Sequence, residues 1–404
     1  MVLVMLLMTV TMSAQVTTAT MSGKVTAQDE PIIGATIVAI HEPSGTRYGT
    51  VTNVSGQFNL QGMRTGGPYK VEISYVGYQT AIYKGINLLL GENYVLNVSL
   101  KESSELLDEV VVTASKESNM KSDRAGAIMN ANRDMISNTP TISRSISDIM
   151  RLSPQGADVG NGFAVGGGNY RQSFVTVDGA AFNNTFGLGG NLPANGSPIS
   201  LDALEQVTVA VTPFDVRQSG FTGGAINAVT RSGDNQFRGT AYMYFNNENL
   251  KGSKVDDYEL LRSKAQYYTY GASFGGPIIK DKLFFFVNGE YEDNVTAGSN
   301  YRPRTALGES YSGGNIHRPL QSDMDDMRGF LLNKYNFDPG KYNDYSTDTP
   351  AYRVMARVDW NANQTIKLVS VLPRHIPKIL TSLPVQSVHY LHQLFIREEH
   401  PLKS

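Results

Sequence analysis

The stretch FRGTAYMYFN, residues 237–246, places an apolar or small side chain at every second position. This alternation is typical of a β-strand that has one face towards lipid and the other towards a polar interior. A strand that crosses a membrane needs about 9–11 residues. We therefore predict that this stretch begins a transmembrane β-barrel, with a soluble antiparallel sheet as the alternative.

Three later segments repeat the alternation. Residues 268–274, 283–291 and 352–360 each carry aromatic or aliphatic side chains on one predicted face. The other face of the last segment carries the charged residues Arg353, Arg357 and Asp359. Charges confined to one face fit strands whose second face lies inside a barrel, away from lipid.

The connections between these segments alternate in length. Residues 247–266 and 293–350 form long connections, whereas 277–282 and 361–364 are short. Bacterial barrels have short periplasmic turns and long outer loops, so the first strand is expected to start on the periplasmic side. Acidic residues in the longest connection lack the spacing of a calcium loop and are expected in a solvated surface loop: Asp323, Asp325 and Asp326.

The residues ahead of the first strand predict a globular unit. Residues 139–153 have apolar side chains at helical spacing, with Thr139 as the expected N-cap and Pro140 at the first helical position. Asp178-Gly179 lies between two short strand-like runs and predicts a hairpin turn. Glu205, Asp178 and Arg231 could form an acid–base set, but solvated ion pairs, or ion pairs between this unit and a surrounding wall, are the favoured interpretation.

The segments SISDIMRLSP, YRQSFVTVDGAAFNN and LEQVTVAVTPFDVRQSGFTGGAINAVTRSG resemble the plug domain of TonB-dependent outer-membrane receptors. The family has a Tyr-Gly pair ahead of the double glycine, where this chain has Ser219-Gly220-Phe221. The resemblance is therefore closer to the Oar-like branch than to the glycan-importing branch. The plug-motif positions that it implies are Asp178, Gly179, Gly223, Gly224, Ile226, Asn227, Thr230 and Gly233.

Residues 20–101 contain about seven short strand-like runs separated by Gly, Pro, Asn and Ser turns, which predicts a small β-sandwich. The segments SGKVTAQDEPIIGATIVA and YKVEISYVGYQT resemble the carboxypeptidase-regulatory-like domain, a transthyretin-like sandwich. The module has no paired zinc-ligand motif, and His41 is its lone histidine. We therefore interpret the module as a non-catalytic accessory domain.

Between the sandwich and the plug-like unit lies the segment LDEVVVTA, which we name the coupling segment. By itself it predicts a linker or an edge strand. The resemblance to TonB-dependent receptors implies that it is similar to a TonB box, to which a periplasmic partner adds a strand. Its residues are Leu107, Asp108, Glu109, Val110, Val111, Val112, Thr113 and Ala114.

The composition limits the alternatives. A net charge of −2 argues against a nucleic-acid partner, and the lack of cysteines excludes disulfides and thiolate chemistry. Residues 1–15 have the form of a secretory signal peptide without a basic start, with a buried strand or helix as the alternative. Residues 371–404 lose the strand pattern and place Pro373 in mid-strand, so we expect a frameshifted or truncated reading there.

Together these patterns predict a mainly β chain. We expect a transthyretin-like β-sandwich (20–101), a linker (102–116), an α+β plug domain (117–234) and the first few strands of an incomplete transmembrane antiparallel β-barrel (235–370). The resemblance implies an outer-membrane location with the sandwich in the periplasm.

The same resemblance implies energy-coupled uptake, with a TonB-type partner, outer-membrane lipid and an extracellular peptide, protein, glycan or chelate as interaction partners. No catalytic residue, cofactor or metal is expected, so the chain is not predicted to be an enzyme. The alternative function is adhesion or surface assembly with the barrel as an anchor.

Overall fold

The computed structural model describes the sandwich, parts of the plug-like unit and five long barrel strands. The described residues are 17–102, 110–113, 128–141, 144–159, 162–183, 192, 197–211, 223–250, 252, 254–255, 258–259, 265–297, 302–310, 316–340, 346–361 and 367–377. The predicted signal peptide therefore lies outside them. Within these ranges no helix is both long and apolar enough to cross a bilayer.

The sandwich has two five-stranded sheets that enclose an apolar core. One sheet has β1 at its centre and the other has the order β10-β7-β6-β3-β4. The largest fully buried side chains of this core include Tyr69, Met21 and Met63. The strands are β1 Ala19–Ala27, β2 Glu30–Pro31, β3 Thr36–His41, β4 Thr46–Val51, β5 Gln57–Met63, β6 Gly66–Ser74, β7 Ala81–Leu88, β8 Asn93–Val95, β9 Val98–Ser99 and β10 Val110–Thr113. The predicted β-sandwich is confirmed.

The plug-like unit, which we name the plug, is a sheet of order β11-β16-β17-β14-β15 with a separate hairpin of β12 and β13. Its strands are β11 Ile128–Asn132, β12 Gly156–Asp158, β13 Phe163–Val165, β14 Phe174–Val177, β15 Ala180–Ala181, β16 Leu204–Ala210 and β17 Ala225–Thr230. Two short helices, α1 Arg133–Asn138 and α2 Ile146–Met150, pack beside the sheet. Apolar residues of the plug form a core of their own.

The helix predicted from Thr139 to Ser153 is wrong at its start. Thr139 ends α1 instead, because its N–H and its hydroxyl both donate to the Met135 carbonyl. Helix α2 begins after Ser145, whose side chain accepts from Ser147 N–H and whose own N–H donates to Asp148. This capping box satisfies backbone N–H groups at the start of α2, so the helix begins after Ser145 and not after Thr139.

The barrel strands form one antiparallel sheet of order β18-β21-β22-β26-β27, which we name the wall. Its long strands are β18 Arg238–Asn247, β21 Gln266–Ile279, β22 Leu283–Ala297, β26 Ala351–Asn361 and β27 Lys367–Pro377. Outward apolar side chains alternate with buried ones as predicted: Phe274, Val287, Val354 and Trp360 are exposed, while Phe284, Phe286 and Met355 are buried. Phe286 and Met355 join the apolar core of the plug.

The connection from β22 to β26 holds the short strands β23 Arg302–Arg304, β24 Ile316–Leu320 and β25 Ser346–Asp348, and α3 Gln321–Tyr335. The earlier connection holds β19 Lys254–Val255 and β20 Tyr258–Glu259. Asp323, Asp325 and Asp326 therefore lie on an exposed helix rather than in a loop. Strand β27 pairs with β26 as far as Pro377, so pairing does not stop before Pro373 as expected. Among the described strands, β27 pairs on one side only, with β26, and proline is compatible with a strand that is paired on one side.

Candidate functional site

The Asp178-Gly179 turn ties two plug-motif stretches together. Both residues have positive φ, 49° and 83°, which suits a tight hairpin between β14 and β15. The Asp178 carboxylate accepts hydrogen bonds from the Thr230 N–H at 3.0 Å and from the Thr230 hydroxyl at 2.6 Å. Farther along the same strands, the Thr176 hydroxyl donates to Asn227 at 2.7 Å. The turn and the end of β17 therefore form one unit.

Two of the motif glycines, Gly224 and Gly233, lie where neighbouring backbone or side chains leave no room for a side chain. A Cβ on Gly224 would come within 2.5 Å of the Val165 side chain, and one on Gly233 would contact the carbonyls of Phe285 and Gly276 in the wall. Gly223 is less crowded, with its nearest contact at 3.3 Å. Ile226 is fully buried. The chain thus leaves the plug in direct contact with the wall strands.

Arg357, on the inner face of β26, joins this plug unit to the wall. Its guanidinium donates to the Thr230 carbonyl at 2.7 Å and lies 3.5 Å from the Asp178 carboxylate. On its own strand it pairs with Asp359 at 2.9 Å. Arg357 and Asp359 are buried, so the charges are paired with one another rather than with solvent. The ion pair expected between Asp178 and a surrounding wall is present.

Arg353, four residues before Arg357 on the same face of β26, forms a second junction. Its guanidinium pairs with Glu290 at 2.8 Å and with Glu292, and it donates to the Ser197 carbonyl of the plug. Glu290 also accepts from the Ser200 hydroxyl of the plug at 2.8 Å. Every one of these side chains is buried. The plug is therefore fastened to the inner wall at two polar points along one strand.

The sandwich reaches the same cluster through Arg64. Its guanidinium lies 3.0 Å from Asp359, so one carboxylate joins an arginine of the sandwich to an arginine of the wall. Further hydrogen bonds connect the sandwich with the plug and wall: Leu90 N–H to Gln206 Oε1 (3.1 Å), Asn130 Nδ2 to Glu92 Oε1 (2.5 Å), Asn235 N–H to the Pro43 carbonyl (2.9 Å) and Asn361 Nδ2 to Thr46 Oγ1 (2.9 Å). Sandwich, plug and wall therefore meet around Asp359.

A cavity of about 510 Å³ lies beside this meeting point. Charged side chains from all three regions line it: Arg64, Arg133, Asp134, Glu205, Arg231, Asp234, Arg238 and Arg357. Burial raises the pKa of the Glu205 carboxyl, although the surrounding arginines oppose that rise. Of the three residues considered as an acid–base set, Arg231 pairs with Asp202 at 3.4 Å and interacts electrostatically with Glu205, whereas Asp178 pairs with Arg357.

The described contacts join the sandwich, plug and wall through ion pairs and hydrogen bonds. Within the described ranges, no group of three or more His, Asp or Glu side chains could hold a metal ion. His41 is buried, bonded to the Ser44 hydroxyl at 2.7 Å and packed against Tyr69. Burial, with the charge of Arg64 second, lowers the pKa of His41 from 6.5 to about 3.

The wall charges were visible in the sequence, but their partners were not. Arg353, Arg357 and Asp359 occupy the predicted inner face of their strand, and Glu290 has the same place on β22. Charges on that face signal an interior partner. Which plug residues they contact depends on non-local packing, so only the three-dimensional structure identifies Thr230, Ser197 and Ser200.

Part of the coupling segment is described. Val110–Thr113 form β10, which pairs in parallel with β7 of the sandwich. Leu107, Asp108, Glu109 and Ala114 lie outside the described residues. A role for this segment in binding a partner stays a prediction.

Comparison with known proteins supports the two β regions separately. Residues 20–101 match the carboxypeptidase regulatory-like domain family, and residues 229–373 match an outer membrane beta barrel domain family. The TonB-dependent transporter Oar of Myxococcus xanthus is 27% identical over 229 residues, which cover 55% of this chain and 20% of that protein. The TonB-dependent receptor SusC of Bacteroides thetaiotaomicron is 29% identical over 269 residues, 63% of this chain and 24% of that protein.

The chain thus spans about a fifth to a quarter of the length of the curated relatives that it matches. Among solved structures, a mutant of the ferric enterobactin receptor PfeA of Pseudomonas aeruginosa superposes with a TM-score of 0.43. The identity is 14%, over 63% of this chain and 33% of that one, a likeness too weak to carry an argument.

The fold and the family matches define the class of protein: an outer-membrane β-barrel chain with a carboxypeptidase regulatory-like domain ahead of its barrel strands. Within that class, the chain resembles TonB-dependent transporters and receptors, as its plug and sandwich motifs predict, and this resemblance is confirmed. One curated relative is a transporter and the other is a receptor, in agreement with the prediction that the chain is not an enzyme.

Proposed function

We propose that this chain supplies the periplasmic sandwich, the plug and the first wall strands of a TonB-dependent outer-membrane transporter. A substrate binds from outside, and a TonB-type protein in the periplasm adds a strand to the coupling segment, residues 107–114. Tension on that segment then displaces the plug from the wall. The substrate class stays open among peptide, protein, glycan and metal chelate.

The observation that carries this proposal is the nature of the plug–wall junction. Arg353 and Arg357 hold the plug mainly through side chains and single backbone carbonyls, such as those of Ser197 and Thr230. Such contacts form one stable arrangement, yet they can be exchanged for water when the plug moves. A removable plug inside a wall is what gated uptake requires.

Strand addition also fits the chemistry of the coupling segment. Three consecutive valines, Val110 to Val112, favour an extended backbone, and strand pairing uses backbone groups that any sequence supplies. The acidic pair Asp108 and Glu109 would then select among partners by charge. The energy comes from the partner, so the proposal needs no nucleotide site.

The test is deletion of residues 107–114 in the full-length gene, compared with deletion of an equal number of residues from 115–127, the connection to the plug that follows. The transporter proposal expects loss of uptake in the first deletion, with normal surface levels of the protein. Unchanged uptake would refute coupling through this segment. Loss of cell adhesion together with normal uptake would favour the adhesin alternative instead.

A further inference from the structure

Strand β10 completes one edge of a sandwich sheet. Its register with β7 pairs Val110 with Ala81 and continues in step to Thr113 and Lys84. In the sheet order β10-β7-β6-β3-β4, strand β7 would otherwise be the edge. Edge strands present unpaired backbone groups to any extended chain that comes near. The edge of β7 is therefore a strand-binding surface, and its occupant belongs to the coupling segment.

The chain leaves the sandwich next to this edge. The Gln79 N–H donates to the Lys101 carbonyl at 2.9 Å, and Glu102 forms an antiparallel bridge with Tyr78. Only residues 103–109 separate that bridge from Val110, the first residue of β10. A short tether keeps the effective concentration of the coupling segment at the edge high. The pairing therefore follows from where the sandwich ends, and not from a chance contact.

We propose that the sandwich is a strand holder: the edge of β7 keeps residues 110–113 paired until the periplasmic partner takes them. This inference rests on the proposed function, because it assumes that residues 107–114 are the coupling segment. It assigns a task to the accessory domain, which carries no catalytic motif. The partner must compete with β7 for the same four-residue backbone.

The attachment of the sandwich to the wall and plug explains why β10 must leave β7 before a pull reaches the plug. Arg64 fixes the sandwich to Asp359 of the wall, and the Leu90 N–H fixes it to Gln206 of the plug. While β10 stays on β7, a pull on the coupling segment is borne by the sandwich and by these contacts. After β10 leaves, the pull passes along residues 114–127 to β11 and the plug sheet.

A disulfide in the full-length protein tests the holder, because the chain described has no cysteines. Lys84→Cys with Thr113→Cys places the thiols at paired positions of the register. Lys84→Cys with Val110→Cys is the matched control, since Val110 is three positions out of register, a displacement of about 10 Å that a disulfide cannot span. We expect mild oxidation to cross-link the first pair and not the second. Equal cross-linking of the two pairs, or none in the first, would overturn the proposal.

Partner binding then distinguishes failure of the strand holder from failure of the coupling function. The probe is the purified periplasmic domain of a TonB-type protein from the same organism, titrated against the Lys84→Cys/Thr113→Cys receptor. We expect the oxidised form to bind at least about tenfold more weakly than the reduced form. The disulfide keeps residues 110–113 on β7, so the released state that the partner binds is not populated. Equal binding by both forms would overturn the holder while leaving the coupling function intact. No binding to the parent receptor without the two substitutions would refute the coupling function itself, whatever the cross-linking result.

Discussion

At the wall the plug is held by buried charges, whereas at the sandwich it is held by single hydrogen bonds. Arg353 and Arg357 each contact two carboxylates and one plug carbonyl, in two separate junctions on β26. The sandwich contacts, such as that between Leu90 and Gln206, each join one donor to one acceptor. Arg64 is the exception, since it reaches from the sandwich into the buried cluster.

This difference predicts the order in which the two junctions open. Removing one member of a buried ion cluster leaves an unpaired charge and costs about 3–5 kcal/mol. A single intramolecular hydrogen bond contributes only about 0.5–1.5 kcal/mol. A load on the periplasmic side should therefore separate the sandwich from the plug before it separates the plug from the wall.

The largest effect is expected from Arg357→Ala. The substitution leaves the buried Asp359 and the partly buried Asp178 with a weaker counter-charge, so the free energy of unfolding of the plug should fall by about 3–5 kcal/mol. Native-state hydrogen exchange of the β17 amides in the full-length protein measures this change. Arg318→Ala, on a short strand of the long connection, is the control and should have no effect there. A change below about 1 kcal/mol would place Arg357 outside the junction.

A pH effect follows for the sandwich. Because the pKa of His41 is lowered to about 3, the folded protein binds fewer protons than the unfolded chain between that pH and 6.5. Stability is therefore lost as the pH falls below 6.5, by at most about 1.4 kcal/mol per pH unit. Denaturant titration of the sandwich signal at about pH 7 and about pH 5 measures this loss, and His41→Gln should remove its histidine component. An equal loss of stability between the two pH values in the wild type and in His41→Gln would contradict a lowered pKa of His41.

Arg64→Ala should have a smaller effect than Arg357→Ala. Asp359 keeps its pairing with Arg357 when Arg64 is removed, and the Arg64 side chain is 16% exposed. We expect a loss of about 1–2 kcal/mol, expressed as faster proteolysis between sandwich and plug. Lys70→Ala, which removes a partly exposed ion pair inside the sandwich, is the matched charge control. Equal losses for Arg64→Ala and Arg357→Ala would remove the distinction between the two junctions.

The smallest effect is expected at the neutral contact of Asn361 with Thr46. Asn361→Ala removes the hydrogen bond of 2.9 Å to Thr46 at a partly exposed position, together with a longer one of 3.5 Å to the Asp281 carbonyl. The expected loss is about 0.5–1.5 kcal/mol in the same proteolysis assay. A loss as large as that of Arg357→Ala would mean that the sandwich junction, rather than the wall junction, carries the load.

The sequence predicts well what depends on short-range periodicity. Alternation places Phe274, Val354 and Trp360 on the outer face, and the Asp-Gly pair at 178 and 179 forms the expected turn. The prediction that a helix starts at Thr139 was wrong because two possible N-caps, Thr139 and Ser145, lie close together. Only the Ser145 capping box is completed by a side chain three residues later, that of Asp148.

The site itself was less accessible to sequence reasoning. The inner face of β26 was predicted to be charged, but the contacts of Arg357 with Thr230 span a sequence separation of 127 residues. No local pattern specifies a pairing of that range. The same applies to β10, whose valines predict an extended chain but do not indicate that β7 is its neighbour.

The most direct test of the account is a double-mutant cycle between Asp178 and Arg357, with the unfolding free energy of the plug as the readout. Asp178→Asn retains a residue that tolerates positive φ, so it removes the charge without straining the turn. Our account predicts a coupling energy of about 1–3 kcal/mol between Asp178→Asn and Arg357→Ala. Additive effects, with a coupling energy below about 0.3 kcal/mol, would contradict the claim that this ion pair fastens the plug to the wall.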